Sequence, residues 1–295
     1  MNESSAIRPR RTTFLIYLLP SVILFAFMVI VPVLLAVRYS FFKWSGGSKM
    51  DFIGLDNYRV LLTDSYFWNA FLNNLLIVFC SVIGQIGIAF AISIFLMSKI
   101  VKLKGFHRTV IFVPVILSSV VIGFLWGMIY NQDAGMLNWL LRTLGLESWI
   151  KPWLDDPNIV MYSVTAPIVW QYIGFYLIIF LAAMQSINSE IYEMAELDGA
   201  TGFKKMRHIT LPLLSSTIKI AIMLCIAGNM KAFDSIFVMT GGGPGSSSTV
   251  MAQYAYDTSF KAYKLGYGSA ISVGIMILSV ALIIVSRLIG GKSRD

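Results

Sequence analysis

The chain has 295 residues, 57% of them hydrophobic and 13% charged, with a mean hydropathy of +0.75 and a formal charge of +8. A soluble domain is about a quarter charged, so this composition excludes an ordinary soluble enzyme or binding module and points to a membrane. Basic loops beside membrane spans account for the positive balance, which leaves nucleic-acid binding without support.

In chain order, Arg8, Arg10 and Arg11 precede the first apolar run, residues 14–37. That flank resembles a signal peptide, but the run is long enough to cross a bilayer and has no small-x-small site after it, which predicts a retained span. Further runs follow at 71–97, 106–130, 159–184, 213–239 and 267–289. Each approaches or exceeds the roughly 20 helical residues that a 30 Å hydrocarbon core needs. Length and internal Gly and Pro favour helices over barrel strands, which are shorter and alternating. Pro20, Pro32, Pro114 and Pro167 would break soluble helices, yet membrane bundles tolerate them. Cys80 and Cys225 both fall inside apolar runs, with no C-x-x-C spacing, and read as inert apolar filler. Trp68 and Trp126 read as interfacial anchors.

Segments 1–13, 98–105, 185–212 and 290–295, with flanking Arg108 and Arg287, hold 13 Lys and Arg, against 8 in 38–70, 131–158 and 240–266. The positive-inside rule then places both termini and the 185–212 loop in the cytoplasm. That loop is longer than a helix hairpin needs. Within it, Ser189 is the predicted N-cap of a helix with Glu190 and Glu193 near its positive end. Ile191, Met194, Ala195 and Leu197 share a broad face, with Glu193 and Glu196 opposite. Gly199 suits a C-terminal cap with positive φ. Thr201 is placed to cap a second short helix that ends in Lys204, Lys205, Arg207 and His208, and Pro212 marks the start of the next span. The physical reading is a turn-linked pair of helices at the membrane surface, either a docking ledge or a solvated amphipathic connector.

Glu193-Met194-Ala195, Asp198-Gly199-Ala200 and Ile209-Thr210-Leu211-Pro212-Leu213 closely resemble the EAA loop of ABC importer permeases. Met194 departs from that family's usual alanine, and Ser215-Ser216 lie where a proline commonly follows. "FIGLDNY" (52–58) and "VMTGGGPGSSSTVMAQYAY" (238–256) are similar to the corresponding stretches of the carbohydrate permeases, the maltose and glycerol-phosphate group, in the subunit carrying the Gly-Gly-Pro loop. The resemblance implies an all-α integral membrane protein of six transmembrane helices, spanning residues 14–289, with short cytoplasmic tails at 1–13 and 290–295. It implies that Glu193, Ala195, Asp198, Gly199, Ala200, Leu211 and Pro212 couple to an ATPase. The implied partners are a second homologous permease subunit, a cytoplasmic ATPase dimer, an external solute-binding protein and membrane lipid. ATP and Mg would then reside on the ATPase, with no cofactor on this chain, in a bacterial or archaeal cell membrane.

Gly241-Gly242-Gly243-Pro244-Gly245 lacks the Lys-Ser/Thr ending of a phosphate cradle and reads as a structural turn; the C-terminal "GGKS" lacks the upstream glycine. Polar residues within the runs are costly and usually face a cavity. Asn73, Asn74, Gln85, Gln171, Asn229, Lys231 and Asp234 form that set. Lys219 is expected to snorkel towards the nearer membrane surface. Lys231 and Asp234 are spaced to pair on one helix face or to meet solute. Sugars bind through hydroxyl hydrogen bonds and aromatic faces, so Trp170, Gln171, Tyr172, Phe175 and Tyr176 join Asn229 and Lys231 as cavity candidates. The resemblance puts the fourth and fifth spans around the solute cavity and makes Asn229 the foremost of these.

The leading expectation is a permease that imports an oligosaccharide by alternating access. A sugar phosphate or modified sugar is the alternative and would give Lys231 a purpose. An independent secondary carrier would need deep ion-coupled acids, and Asp234, the only candidate in these runs, lies near an outer end. A membrane enzyme would need more than His107 and His208, with no HExxH or clustered carboxylates.

Overall fold

The structure is a computed structural model that describes residues 11–98 and 100–289. Arg8, Arg10, Lys99, the "GGKS" stretch and most of the two expected tails lie outside the described residues. The chain divides into two compact units: residues up to Thr63 with Ala255–Val273, and Asp64–Tyr254 with the residues from Gly274 on.

In the first unit, helix α1 (Leu15–Tyr39) presents its apolar side chains outward along its whole length, as a lipid-facing helix does. It continues through Pro20 and Pro32. A short antiparallel hairpin follows, β1 (Phe42–Trp44) and β2 (Met50–Phe52), with Phe42 opposite Phe52 and their rings 5.4 Å apart. This small β element is one that an all-helical reading lacks. The "FIGLDNY" stretch then clamps the hairpin onto the end of α1. Asn57, at the start of α2 (Asp56–Thr63), donates to Ser40 O at 2.7 Å and Phe42 O at 3.1 Å, and the Tyr58 hydroxyl meets Ser40 Oγ at 2.6 Å.

The second unit begins with α3 (Ser65–Met97), whose N-terminal amides on Tyr66 and Phe67 are capped by Asp64 Oδ1. This helix starts before its apolar run because the cap, and not hydropathy, sets where the backbone turns helical. Then come α4 (Lys104–Ile116), α5 (Ser119–Ile129), α6 (Met136–Thr143) and the unbroken α7 (Val160–Gln185). After these lie α8 (Ser189–Leu197), α9 (Gly202–Leu213), α10 (Ser215–Asn229) and α11 (Asp234–Thr240). Helices α12 (Met251–Tyr256) and α13 (Leu265–Ile289) complete the order.

The third and fifth apolar runs are not single straight helices. The third bends by 97° between α4 and α5, at Leu117 and Ser118. The fifth bends by 70° from α9 into α10 and is interrupted again between Asn229 and Asp234. Among the described residues, four helices are long and apolar enough to cross a membrane alone, and the bent pairs raise the total to six.

Two buried clusters hold this unit together. One joins Ile86, Ala89 and Leu96 of α3 with Leu177 and Phe180 of α7 and Ala221 and Cys225 of α10. The other joins Ile77, Val160, Val164, Ile168, Ile236 and Val250. In lipid, association rests on close packing, and small residues let backbones approach. At Gly174 a Cβ would press on the Ile111 carbonyl and lie 2.8 Å from Phe112 Cα, so this glycine seats α7 directly on the α4 backbone.

Candidate functional site: a polar cavity and a bent ledge

A cavity of about 460 Å³ opens where the third and fifth runs are interrupted. Its walls come from α7 (Gln171, Tyr172, Phe175, Tyr176), from the end of α10 (Gly228, Asn229), from the interruption itself (Lys231, Phe233) and from the starts of α11 (Asp234) and α5 (Ser119). Two short helices that begin at the interruptions, α5 and α11, pack against each other at Gly123, where a Cβ would lie 3.0 Å from Ser235 O.

Each interruption frees carbonyls that lipid would leave unsatisfied, at a cost of several kcal/mol apiece. Amide side chains from other helices supply the missing donors. Gln171 Nε2 donates to Leu117 O at 3.0 Å. Asn74 Nδ2 donates to Asn229 O at 2.9 Å and Met230 O at 3.4 Å.

Of the residues expected to line a cavity, Gln85, Gln171, Tyr172, Phe175, Tyr176, Asn229, Lys231 and Asp234 do so, while Asn73 and Asn74 do not. Trp170 does not: it points to the opposite face of α7, 40% exposed, with its ring 5.9 Å from that of Trp126 and beside a shallow apolar groove containing Cys80 and Tyr162. Ile168, Gln171, Tyr172, Phe175 and Tyr176 fall at i, i+3, i+4, i+7 and i+8 on one helix face, and at 100° per residue Trp170 lies on the opposite one. Trp68 stacks edge-on with Phe67 and Phe71. Gln171 and Asn229 are almost wholly buried and already bonded. Asn229 Nδ2 donates to Cys225 O at 2.9 Å, and its Oδ1 accepts from Ser81 Oγ at 3.3 Å. Gln85 extends that network, donating to Ser81 Oγ and Ile168 O. The groups presented to the open space are therefore the Tyr172 and Phe175 rings with Lys231 and Asp234. The expected pairing of Lys231 with Asp234 is not made among the described residues, because the helix stops between them and the i, i+3 spacing no longer sets one face.

Sequence reading passed over Ser119, Phe233 and Ser235. The Ser118-Ser119 pair carried a signal, since Ser118 Oγ caps the Val120 amide at the start of α5. The glycine-rich loop after α11 closes on its own hydroxyls: Ser248 Oγ donates to Gly243 O at 2.6 Å, and Thr249 Oγ1 to Gly242 O at 3.3 Å.

The ledge is α8, Gly199 and α9. Its N-cap is Asn188, one residue before the expected Ser189, with Asn188 Oδ1 accepting from Glu190 N at 3.1 Å. At the other end Gly199 has φ +79°, and two bonds, Ala200 N to Ala195 O at 2.8 Å and Gly199 N to Glu196 O at 3.0 Å, form a Schellman cap. Thr201 precedes α9 without a side-chain cap bond. Pro212 lies in the last turn of α9, and the bend falls after it, at the buried Leu214. Ala195 is buried, while Glu193, Asp198, Leu211 and Pro212 are exposed and Ala200 is half-buried. Met194, Leu197 and Phe203 are also exposed, at 66%, 88% and 69%. Lys205 pairs with Glu196 and lies over the Tyr192 ring at 5.6 Å, bracing the two helices across the turn.

The chain is 35% identical over 90% of its length, and 92% of the relative's, to a probable ABC transporter permease, YurN, of Bacillus subtilis. It is 31% identical to the sulfoquinovosyl glycerol transport system permease SmoG of Agrobacterium fabrum, over 92% of this chain and 88% of that one. Its fold matches a chain in the crystal structure of a bacterial ABC transporter involved in import of the acidic polysaccharide alginate, with a TM-score of 0.81 over 97% of this chain and 98% of that one at 22% identity. Residues 85–294, covering the cavity and the ledge, match the binding-protein-dependent transport system inner membrane component family, and the chain belongs to that family.

Proposed function

We propose that this permease passes a carbohydrate through the cavity between α7, α10 and the start of α11, driven by a separate ATPase that docks on the α8–α9 ledge. The carrying observation is the composition of the open wall, where two aromatic faces stand with one cation and one anion. Aromatic rings take the C–H faces of a sugar, and charged groups donate to and accept from its hydroxyls. A sugar-transporting relative, SmoG, at 31% identity supports the same solute class. Lys231 alone would favour a phosphorylated or acidic sugar. Asp234 on the same wall offsets that preference, so a neutral oligosaccharide is the primary reading.

In this reading the ledge, both termini and the ATP and Mg sites on the partner lie on the cytoplasmic side. A second homologous permease completes the pore, and a solute-binding protein delivers cargo from outside. Closure of the ATPase dimer would move the ledge as a rigid piece, because the Schellman cap and the Lys205–Glu196 brace fix its angle. Glu193 and Asp198 are exposed for contact. Asp198 at the helix C-terminus opposes the α8 dipole, so its service to α8 itself is small.

The test is transport by the assembled complex in proteoliposomes, using a panel of neutral and anionic oligosaccharides. Tyr172→Ala and Phe175→Ala should each raise the apparent KM for the transported sugar about tenfold, the equivalent of about 1.4 kcal/mol. Unchanged KM in both would remove the cavity from the solute path.

A further inference from the structure

We infer that Asn74 is a positioning residue that holds the interruption of the fifth run in place, and with it the Lys231 and Asp234 wall of the cavity. This inference rests on the reading of that cavity as the solute path. Asn74 is fully buried in α3 and does not line the cavity. Its one side chain satisfies three backbone groups. Nδ2 donates to the carbonyls of Asn229 and Met230, at 2.9 and 3.4 Å, and Oδ1 accepts from the amide of Met251 at 2.9 Å.

Those partners have a common property. Asn229 ends α10 and Met230 begins the non-helical stretch, so their carbonyls lose their i+4 helical donors; the Asn229 carbonyl keeps one turn-type donor, Ala232 N at 3.2 Å, beside the Asn74 amide. Met251 begins α12, whose first amides likewise lack helical acceptors. An asparagine carries both a donor and an acceptor on a short, stiff arm, and here both are used. The preceding residue repeats the arrangement: Asn73 Nδ2 donates to Ser247 O at 3.0 Å and Thr249 O at 2.9 Å. Consecutive asparagines on α3 thus tie down the cavity-side interruption and the glycine-rich loop that follows α11.

Lys231 comes one residue after the second carbonyl that Asn74 holds. With Asn74 gone, the helix could propagate past Met230, which would fix Lys231 at about 200° from Asn229 around the α10 axis. Lys231 and Asp234 would then leave the wall without any change in their own chemistry.

The experiment measures the labelling rate of Lys231→Cys by a membrane-impermeant cationic methanethiosulfonate, in membrane vesicles holding the full chain. The buried native Cys225 and half-buried Cys80 report the background. In the Lys231→Cys parent the thiol should label, and adding Asn74→Ala should shift its rate about tenfold. Ser93→Ala is the control: Ser93 is equally buried on α3, and its hydroxyl is spent on its own helix at Phe90 O. It should leave the rate within about twofold of the parent. Asn74→Ser, with one donor and acceptor on a shorter arm, carries the same reading if the alanine variant does not accumulate. An unchanged rate with Asn74 replaced overturns the inference, as does an equal shift from Ser93→Ala, which would show general loosening. Failure of the Lys231→Cys parent to label marks a different failure, that of the open-cavity reading itself.

Discussion

Helix α7 carries Pro167 a third of the way along and runs unbroken for 26 residues, whereas the fifth run has no proline between Ser215 and Thr240 and loses its helix at Met230. The difference lies in what surrounds each backbone. Around Pro167, Val160, Val164 and Ile168 are packed against Ile77, Ile236 and Val250, and Gln85 adds a donor to the Ile168 carbonyl. Packing on several sides keeps the helix unbroken despite one missing bond. At Met230 the backbone is irregular because α3 presents an amide to receive its carbonyls. In lipid, a helix interruption is stable where a donor waits for it, and a proline does not by itself end a helix, as α1 shows by continuing through Pro20 and Pro32 with its side chains outward.

The sharpest way to break this contrast is at Gly174, where α7 rests on the α4 backbone. Gly174→Leu should destabilise the protein by about 3 kcal/mol or more, since backbone cannot move aside as a side chain can. Detergent thermal denaturation and membrane abundance would show it. A near-native melting curve would mean that α7 and α4 are not in contact.

Gln171→Leu comes next. It keeps most of the volume but strips the donor from Leu117 O at the bend of the third run, an expected loss of about 1–3 kcal/mol. Because Gln171 also lines the cavity, stability and transport should fall together. A transport defect at unchanged stability would reassign Gln171 to direct solute contact.

Gly199→Val is smaller in stability and larger in consequence. A β-branched residue at φ +79° costs roughly 1–2 kcal/mol, yet no atom lies within 4 Å of the added Cβ, so the chain should still reach the membrane. ATP hydrolysed per solute moved should rise severalfold in the reconstituted complex. An unaltered ratio would count against the ledge as the coupling element.

The smallest structural effect belongs to Lys231→Ala and Asp234→Ala, each expected within about 0.5 kcal/mol of the parent because neither side chain is ion-paired in this unit. Their transport profiles should diverge instead: loss of Lys231 should weigh more on anionic sugars, and loss of Asp234 more on neutral ones. Identical profiles would remove charge from the account of specificity.

Much of this was legible locally. A glycine after an amphipathic stretch signals a C-terminal cap, and Gly199 adopts the left-handed conformation. Residue type singled out Tyr172, Phe175, Asn229 and Lys231, and the family resemblance implied that they share one space, as they do. Trp170 was misassigned because one residue of helix rotation separates a cavity wall from a lipid-facing groove, and composition carries no phase. The Lys231–Asp234 spacing left pairing and solute contact open for a related reason, since i, i+3 geometry exists only while the helix does.

By itself, then, the sequence determined that the chain belongs in a membrane, where its apolar runs lie and where the charged ledge turns, because hydropathy, glycine and charge act through near neighbours. Only the tertiary structure decided where the runs break and which polar groups remain open to a solute. Those outcomes depend on donors remote in sequence, with Asn74 reaching a carbonyl 155 residues away. A carbonyl in lipid must find a partner somewhere, and no local pattern says where that partner will be.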